Sequence, residues 1–396
     1  MHLLAVRLGW WSFPPAPHAL LGVPVELYLG WALLWGPAAA LAMPRAPVVV
    51  LAAVALWADV LLMPRLAPVV RLGPAWLAGD AVAVAVCLLP AQLLARWTAE
   101  GRRLGARAAL QVLCAGALLL GVMPAAVLEQ TGGSWRALLD GRPAWVTSSL
   151  LQLLAVPAVL GLGAVHEFVR RGGGTPVPFD PPRRLVTSGP YAYVANPMQL
   201  SAALVLAGWG AMLGSPWVAA GALAAVAYSV GIAAWDEGDD MRGRFGDAWL
   251  AYRRAVRPWL PRWRPYYRPT DGGAAPATLY VAASCVQCSE VGRWIAARRP
   301  VGLALVPAER HPGRDLERIT YDPGDGGAEE EGVAAVARAL EHLNLGWALL
   351  ATFVRLPAVR PLLQLVVDAS GGGPQLVRRA SAATSTAACP FPGVQP

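Results

Sequence analysis

The sequence contains no lysine and carries little charge. Its 33 basic residues are all arginines, only 15% of its 396 residues are charged, and 56% are apolar. This balance excludes an ordinary soluble globular protein, where charged residues are about 25% of the total, and it indicates a membrane protein. No basic stripe interleaved with aromatic residues accounts for the net charge of +8, so we expect no nucleic-acid partner.

Cysteine and histidine are also scarce, with five residues of each. The cysteines are too few and too scattered for a disulfide framework. Only Cys285 and Cys288 form a pattern. Because His311 and His342 stand apart from that pair, no zinc-ligand spacing is present, and we expect no metal.

Long apolar runs are abundant. A membrane-spanning helix needs roughly 20 apolar residues, and the candidate segments lie near residues 19–43, 47–63, 77–95, 107–127, 145–166, 197–213 and 216–235. Arginines gather in the loops that would share one face, which by the positive-inside rule is cytoplasmic. We therefore predict an integral protein of a bacterial cell membrane, with the N-terminus outside and the C-terminal domain in the cytoplasm.

The pattern changes after the last apolar run. The stretch 241–268 mixes arginine with tryptophan and tyrosine at helical spacing, which predicts a helix in the membrane interface. From about Thr278 the sequence predicts a strand, a helix that begins at the cysteines, a second strand, and two helices within 330–367. The predicted fold is mainly α: a polytopic helical membrane bundle of about seven spans with a small C-terminal α/β thioredoxin-like domain.

The predicted division of the chain has five parts. They are an N-terminal membrane bundle of about four spans (1–144), a membrane methyltransferase-like module with a helical hairpin and an interfacial helix (145–268), a linker (269–277), the α/β domain (278–374) and a disordered tail (375–396). The tail has turn formers and small residues without periodicity, which is typical of disorder.

Two polar segments flank the last pair of spans. "LVTSGPYAYVANPMQL" precedes the pair, and "WDEGDDMRGRFG" follows it. A tight hairpin of two helices would bring these segments together, and irregular backbone at a membrane is tolerated where it lines a cavity. Carboxylates and aromatic faces in such a place suit a cationic or amphiphilic ligand. The alternative is a structural turn beside a solvated acidic helix start.

The order GPY, YV, NPM, acidic pair, FG, Y, V, LPR, over about Leu151–Trp263, resembles the isoprenylcysteine carboxyl methyltransferase and phospholipid methyltransferase family. The resemblance implies an S-adenosylmethionine-dependent methyltransferase, with the cofactor bound on the cytoplasmic side and a lipid-like acceptor entering from the bilayer. It implies catalytic roles for Asn196 and Glu237. The residues that it implies for cofactor binding are Gly189, Pro190, Tyr191, Tyr193, Asn196, Pro197 and Glu237.

This chain departs from the family pattern at three positions. Ala195 stands where the family has an arginine, Gln199 replaces an aromatic residue, and Gly238 replaces the second acidic residue. An arginine fork is a natural partner for the cofactor's carboxylate, and alanine cannot replace it. We expect Arg183 or Arg184 to substitute, unless the site is lost.

The chemistry of methyl transfer demands mainly alignment and exclusion of water. A carboxylate or thiolate acceptor needs no general base, whereas an amine or hydroxyl needs one. His166 and Glu167, at the end of the fifth span, are the nearest candidates for that role. The alternative is that they anchor the span at the interface.

The segment "SCVQCSEVGRW" places two cysteines at the start of a helix, where a thiol pKa is lowered and a disulfide can form. The region 278–374 resembles the DCC family of thiol-disulfide oxidoreductase-like proteins, through this helix and through "ALEHLNLGWALLATFVRLPAVR". The resemblance implies a redox role for Cys285 and Cys288. The sequence "YVAAS" lacks the aspartate that the family has ahead of its cysteines.

Two further hypotheses come from other functional classes. One is a membrane-anchored thiol-disulfide oxidoreductase that uses the Cys285/Cys288 pair. The other is a noncatalytic membrane binding or transport bundle built around Glu26, Asp59 and Asp80, because carboxylates within spans face the protein interior or water. The leading prediction remains a methyltransferase acting on a lipid-like or isoprenoid-linked small acceptor.

Overall fold

The computed structural model describes residues 1–177, 180–267 and 276–379. The chain forms two compact units. The first comprises residues 1–141, 175–177 and 213–218, and the second comprises 142–174, 178–212 and 219–396. The methyltransferase-like module and the C-terminal strand-containing region therefore cluster in one unit.

The first unit is helical. Its α-helices are α1 (His2–Arg7), α2 (Val25–Leu33), α3 (Ala39–Ala42), α4 (Val48–Leu62), α5 (Trp76–Ala83), α6 (Leu89–Ala99), α7 (Leu104–Ala117) and α8 (Met123–Thr131). Short strands form two antiparallel pairs, β1 (Trp11–Ser12) with β4 (Arg71–Leu72) and β2 (Ala19–Leu20) with β3 (Val23–Pro24). Most large apolar side chains on these helices are exposed, as expected of surfaces that face lipid.

Two of the acidic residues in the first unit lie inside it. Asp59 on α4 and Asp80 on α5 are 7% and 3% exposed, and Oδ2 of each carboxyl group is buried without a hydrogen-bond partner among the described residues. Glu26 is exposed. The expectation that carboxyls within spans face the interior is met by the two aspartates, whereas the binding or transport hypothesis stays a prediction.

The helices of the second unit are α9 (Ala144–Glu167), α10 (Pro197–Met212), α11 (Pro216–Tyr228), α12 (Ala234–Ala255), α13 (Val286–Ala296), α14 (Val333–Leu340), α15 (Leu345–Val354) and α16 (Val359–Val367). Small residues let α9 approach its neighbours closely. A Cβ at Gly161 would lie 2.2 Å from Ser201 Oγ on α10, and a Cβ at Gly163 would lie 2.0 Å from Thr352 Cγ2 on α15. Such close approach is how helices associate within a membrane.

Five helices are long and apolar enough to cross a membrane: Val25–Ala42, Val48–Leu66, Trp76–Ala99, Leu104–Thr131 and Ala144–Gly172. The number rises to seven if each of two bent pairs is one span, namely Pro216–Ile232 with Glu237–Ala255 and Leu345–Val354 with Val359–Gly372. The predicted sixth span is α10, whose 16 residues fall short of the roughly 20 needed to cross. The second bent pair was predicted in the cytoplasmic domain. The prediction of a mainly helical membrane protein is confirmed, and its orientation stays a prediction.

The C-terminal region contains a four-stranded sheet in the order β6-β5-β7-β8. Its strands are β5 (Ala277–Val281), β6 (Leu303–Pro307), β7 (Thr320–Asp322) and β8 (Glu330–Glu331). β5 is parallel to β6 and antiparallel to β7. The strand, CxxC helix and second strand were predicted. The structure adds β7 and β8, which are too short to show an alternating pattern, and it has three helices where two were predicted.

Three predicted segments differ from the structure or lie outside it. The tail was predicted to be disordered from residue 375, but Val377 pairs with Leu316 and Arg379 N donates to Asp315. Backbone pairing therefore orders residues 375–379, while 380–396 lie outside the described residues. The predicted linker 269–277 is also outside them, apart from Pro276 and Ala277, where β5 begins.

Candidate functional site

A polar turn between α9 and α10 forms the centre of the candidate site. Residues Gly189–Ala192 make one turn of 3₁₀ helix, and Gly189 adopts φ +58°, which favours glycine. Backbone bonds join the turn to the segment after α12: Arg262 N donates to Tyr193 O at 2.9 Å, and Tyr266 N donates to Ala192 O at 2.7 Å. These bonds hold residues 262–266 against the turn, whereas the predicted proximity of the 235–246 segment stays a prediction.

The two tyrosines of the turn are buried, and each is held by another part of the second unit. Tyr252 Oη on α12 donates to Tyr191 O at 2.8 Å. Tyr193 Oη donates to Glu341 O at 2.8 Å, so this hydroxyl is hydrogen-bonded to the C-terminal region. Tyr191 Oη is buried with no hydrogen-bond partner among the described residues. Pro190 and Pro197 are buried as well.

The aromatic segment after the hairpin is partly buried in protein. Trp263 is 63% exposed, and the interfacial position of the segment stays a prediction, but Tyr252 and Val256 are 1% and 0% exposed. They pack with Ala195, the residue that stands in place of the family's arginine. Tyr252 and Val256 are buried because the backbone of 257–266 is hydrogen-bonded to the turn. These bonds hold the end of α12 against the turn.

The two predicted catalytic residues lie on different elements. Asn196 Nδ2 donates to Gln199 Oε1 at 3.0 Å at the start of α10. Glu237 is exposed on α12, near enough to Tyr191 to affect it. Burial is the main reason that the pKa of Tyr191 is raised, with Tyr252, Glu167 and Glu237 adding to the shift. Glu237 therefore lies within electrostatic range of the turn, and the Asn196 side chain is hydrogen-bonded to Gln199, so the predicted roles of both residues stay predictions.

A cavity of about 500 Å³ opens beside the turn. One wall comes from the predicted site and includes Ser188, Gly189 and Ala192. Another comes from the C-terminal region and includes Tyr321 and His342. This volume lies in the range of small-molecule sites, about 300–1,000 Å³. We name it the main cavity.

A smaller cavity of about 200 Å³ is rich in guanidinium groups. Its lining includes Arg170, Arg171, Arg184 and Arg338, and it shares Arg171 and Ser188 with the main cavity. Among the residues that the structure describes, no carboxylate forms an ion pair with Arg170 or Arg184. Arg184 is one of the two arginines that the sequence offered as a substitute for the residue replaced by Ala195. We name this space the arginine pocket.

A third cavity, of about 180 Å³, is almost wholly apolar. It is lined by Pro190, Tyr193 and Val194 from the turn and by side chains of α9, α10 and α15, among them Val156 and Leu204. Its walls belong to helices that include a membrane span. We name it the apolar groove.

A buried ionic cluster lies under the turn and joins α9 to the C-terminal region. It has three carboxylates and two guanidinium groups, all at most 8% exposed: Glu167, Glu330, Glu341, Arg338 and Arg355. Arg338 donates to Glu167 at 2.8 Å, Glu330 at 2.9 Å and Glu341 at 2.9 Å. Burial alone would raise the pKa of Glu330, but the two guanidinium groups outweigh it and hold that pKa below its usual value.

The ionic cluster overturns one proposed role for Glu167. Its carboxylate accepts hydrogen bonds from Ser188 at 2.5 Å and from Arg338 and Arg355, and the side chain is 0% exposed. Such a group is already saturated with donors and has no access to a substrate, so Glu167 is not the general base that was considered. It instead fixes Ser188, which lines the main cavity.

A tyrosine–histidine pair on the wall of the main cavity was not predicted from the sequence. Tyr321 Oη lies 3.0 Å from His342 Nε2, and His342 Nδ1 lies 2.7 Å from Val301 O. Since a carbonyl only accepts, Nδ1 carries the proton and Nε2 accepts from the phenol. Burial lowers the pKa of His342, so the imidazole is neutral. The two residues are 21 positions apart, and no local pattern links them.

The cysteines lie where they were predicted. Cys285 caps α13, and its Sγ accepts from Cys288 N at 3.3 Å. The expected lowering of the thiol pKa is wrong for Cys288, because burial, followed by the hydrogen bond with Cys285, raises its pKa to about 12. Both thiols are free, and neither lines the main cavity. No cluster of three or more metal-ligand side chains occurs in the described part of the chain.

Comparison with known proteins supports the methyltransferase resemblance. Residues 153–248 match the family model of phospholipid methyltransferases, which is about a quarter of the chain. The matched stretch contains the turn and the hairpin, and together with the apolar helices it indicates a membrane methyltransferase. No curated protein and no solved structure matches the chain. The likeness of 278–374 to the DCC family has no support from these comparisons and stays a prediction.

Proposed function

We propose that the protein is an integral-membrane methyltransferase that uses S-adenosylmethionine and acts on a lipid-like or isoprenoid-linked small acceptor. The observation that carries this proposal is the coincidence of the family match over 153–248 with the turn that lines the main cavity. A match alone would give only the fold, because function resides in the site.

The residues around the turn suit the cofactor on two sides. In the arginine pocket, Arg170 and Arg184 would hold its carboxylate, since guanidinium forks match carboxylates well. For its cationic amino group the family resemblance offers the carboxylate of Glu237, although neither Glu237 nor the buried Tyr191 hydroxyl lines the main cavity or the arginine pocket. The flat rings of Tyr266 and Tyr267, on the wall of the main cavity, would contact the adenine.

The cofactor supplies a methyl group bound to a sulfonium, and the chain supplies alignment. The ionic cluster fixes Ser188, and the backbone bonds of 192–196 fix the turn, so the cavity wall is rigid before binding. Rigid placement of the two reactants is the main contribution that methyl transfer needs. The apolar groove lies on the other side of the same turn and would take the hydrocarbon part of the acceptor.

The first test is calorimetric titration of S-adenosylmethionine into the detergent-purified protein. Saturable binding is expected in the unchanged chain. Arg184→Ala should weaken it by about 10- to 100-fold, because a hydrogen bond between charged groups contributes about 1.5–3 kcal/mol. Glu237→Gln and Asn196→Ala test the residues predicted from the family, and of the two the structure favours an effect of Glu237→Gln.

Asp239→Asn is the matched control for Glu237→Gln, since both acids are exposed on α12. It should bind as the unchanged chain does. A folded protein that shows no binding contradicts the proposed function. Weakening by Arg184→Ala but not by Glu237→Gln would place the cofactor in the arginine pocket and remove Glu237 from the site.

A second candidate function is thiol-disulfide exchange by Cys285 and Cys288. The observation that favours it is the geometry of the helix start, where two free thiols lie three residues apart and the Cys285 sulfur accepts the Cys288 N–H at 3.3 Å. Alkylation in buffers from reducing to oxidising potential tests it. Thiols that stay reduced over the whole range would contradict this function and leave the methyltransferase unaffected.

A further inference from the structure

The main cavity is a composite of two parts of the second unit. The turn supplies Ser188 and Gly189, and the strand-containing region supplies Tyr321 and His342. The family match ends at residue 248, so nothing in it extends to the second pair. Tyr321 and His342 on that wall therefore belong to the C-terminal region and not to the part of the chain that matches the family.

The geometry of the pair is that of a proton relay. His342 is fixed by two reciprocal bonds, in which Val301 N donates to His342 O at 2.9 Å and His342 Nδ1 donates to Val301 O at 2.7 Å. This tautomer leaves the lone pair of Nε2 directed at the Tyr321 hydroxyl, 3.0 Å away. A phenol so placed can take a proton from a ligand while it passes its own to the imidazole.

The charged groups nearby are largely neutralised by one another. Glu341 precedes His342 and is bound by Arg338 and Arg355, and Arg171 pairs with Asp325 across the cavity rim at 3.3 Å. The neutral imidazole is therefore the proton acceptor that remains on this wall among the described residues. Its lowered pKa agrees with a neutral resting state.

We infer that Tyr321 and His342 form the proton-accepting relay of the methyltransferase, and that the acceptor is a hydroxyl compound with a hydrocarbon part. The inference rests on the proposed function. A carboxylate or thiolate acceptor would need no such relay, and a cationic amine would need a free carboxylate, whereas Glu341 and Asp325 on this wall are paired with arginines. A hydroxyl must lose its proton as it is methylated. Tyr321 is the catalytic residue and His342 positions it and stores the proton.

The transfer conserves atoms and charge. The acceptor oxygen forms a bond to the methyl carbon as the carbon–sulfur bond breaks, and the sulfonium leaves as a neutral thioether. The acceptor's proton passes to Tyr321 Oη, and the phenolic proton passes to His342 Nε2. The positive charge that leaves sulfur thus reappears on the imidazolium, which later returns its proton to water.

The test uses two probe acceptors with the same alkyl chain, an alkylphenol and an alkylated nitrophenol, and S-adenosylmethionine with a labelled methyl group. At mildly alkaline pH the nitrophenol is largely ionised and needs no base, whereas the alkylphenol is still protonated, so both probes are assayed there. Tyr321→Phe should lower methylation of the alkylphenol by about 10²- to 10⁴-fold and leave methylation of the nitrophenol nearly unchanged. His342→Gln should show the same selective loss.

Tyr280→Phe is the matched control. Tyr280 is a buried tyrosine on the neighbouring strand β5, it stacks edge-on against His311 with 4.7 Å between ring centroids, and it does not line the main cavity. It should leave both probes unaffected. Calorimetry of the cofactor with each variant shows whether the fold and the binding site are retained.

Three results would overturn the relay. Equal losses with both probes would mean that Tyr321 is only structural, and no loss with either would mean that it is not used. Cofactor binding by the unchanged chain without methylation of either phenol would exclude a hydroxyl acceptor. Absence of cofactor binding would instead be a failure of the proposed function, and calorimetry reports it before any acceptor is added.

Discussion

Replacing Arg338 with methionine should destabilise the second unit strongly. The guanidinium is 1% exposed and donates to three carboxylates at 2.8–2.9 Å. Its loss leaves three buried carboxylates with one guanidinium, so the net charge of the ionic cluster changes from −1 to −2. Removal of one partner from a buried ion pair costs about 3–5 kcal/mol. That is a large part of the roughly 5–15 kcal/mol by which native proteins are stable.

A second substitution makes this reasoning specific to charge. Glu167→Gln restores the net charge of −1 in the Arg338→Met background, so the double variant should recover about 1–2 kcal/mol, although Glu167→Gln alone destabilises the protein. Contacting residues in one network show non-additive effects of about 0.5–3 kcal/mol. A volume or packing effect alone would make the two losses add.

The assay is denaturant unfolding in detergent, followed by tryptophan fluorescence and by circular dichroism to check that one transition is present. Arg102→Met is the control, because Arg102 forms a single exposed pair with Glu100 at 3.2 Å, and such pairs contribute about 0–1 kcal/mol. Equal losses for Arg338→Met and Arg102→Met would refute the reasoning. Further destabilisation of Arg338→Met by Glu167→Gln would refute it too.

Three further predictions concern packing, thiol reactivity and pH. Gly163→Ala should lower the free energy of unfolding by about 1–3 kcal/mol, because the new methyl group would clash with Thr352. Gly238→Ala is the control: no atom lies within 4 Å of its new methyl group, so thermal unfolding should not change. Cys288, whose pKa is raised to about 12, should be alkylated more slowly at neutral pH than the cysteine that caps its helix, and equal rates by mass spectrometry would contradict this. The lowered pKa of Glu330 means that its stabilising effect is present above the ordinary glutamate pKa of about 4.3 and is lost as the pH falls below it. Glu330→Gln should therefore lower the free energy of unfolding less at low pH than at pH 7. An equal loss at both pH values would count against the shift.

The sequence predicted the features that depend on local pattern. Long apolar runs identified the spans, with Val48–Leu66 and Trp76–Ala99 close to the predicted 47–63 and 77–95. The glycine and prolines of the 185–200 segment predicted an irregular turn before a hairpin, because these residues restrict the backbone in a recognisable way. Cys285 at the start of a helix followed from spacing alone.

The sequence could not predict contacts between distant residues. Glu167 and Arg338 are 171 positions apart, and nothing near either one indicates the other. The bent pair of α15 and α16 was assigned to a cytoplasmic domain because each helix alone is too short for a span. Tyr321 lies on a strand of three residues, which gives no periodic signal.

The ionic cluster also restricts how such a chain can arise by gene fusion. Its carboxylate on α9 and its guanidinium groups on α14 and after α15 come from opposite sides of the 268–275 junction. A recombination that joined this α9 to a foreign C-terminal region, or the reverse, would bury unmatched ions. We therefore expect chimaeras that carry one segment without the other to fold poorly, whatever their activity.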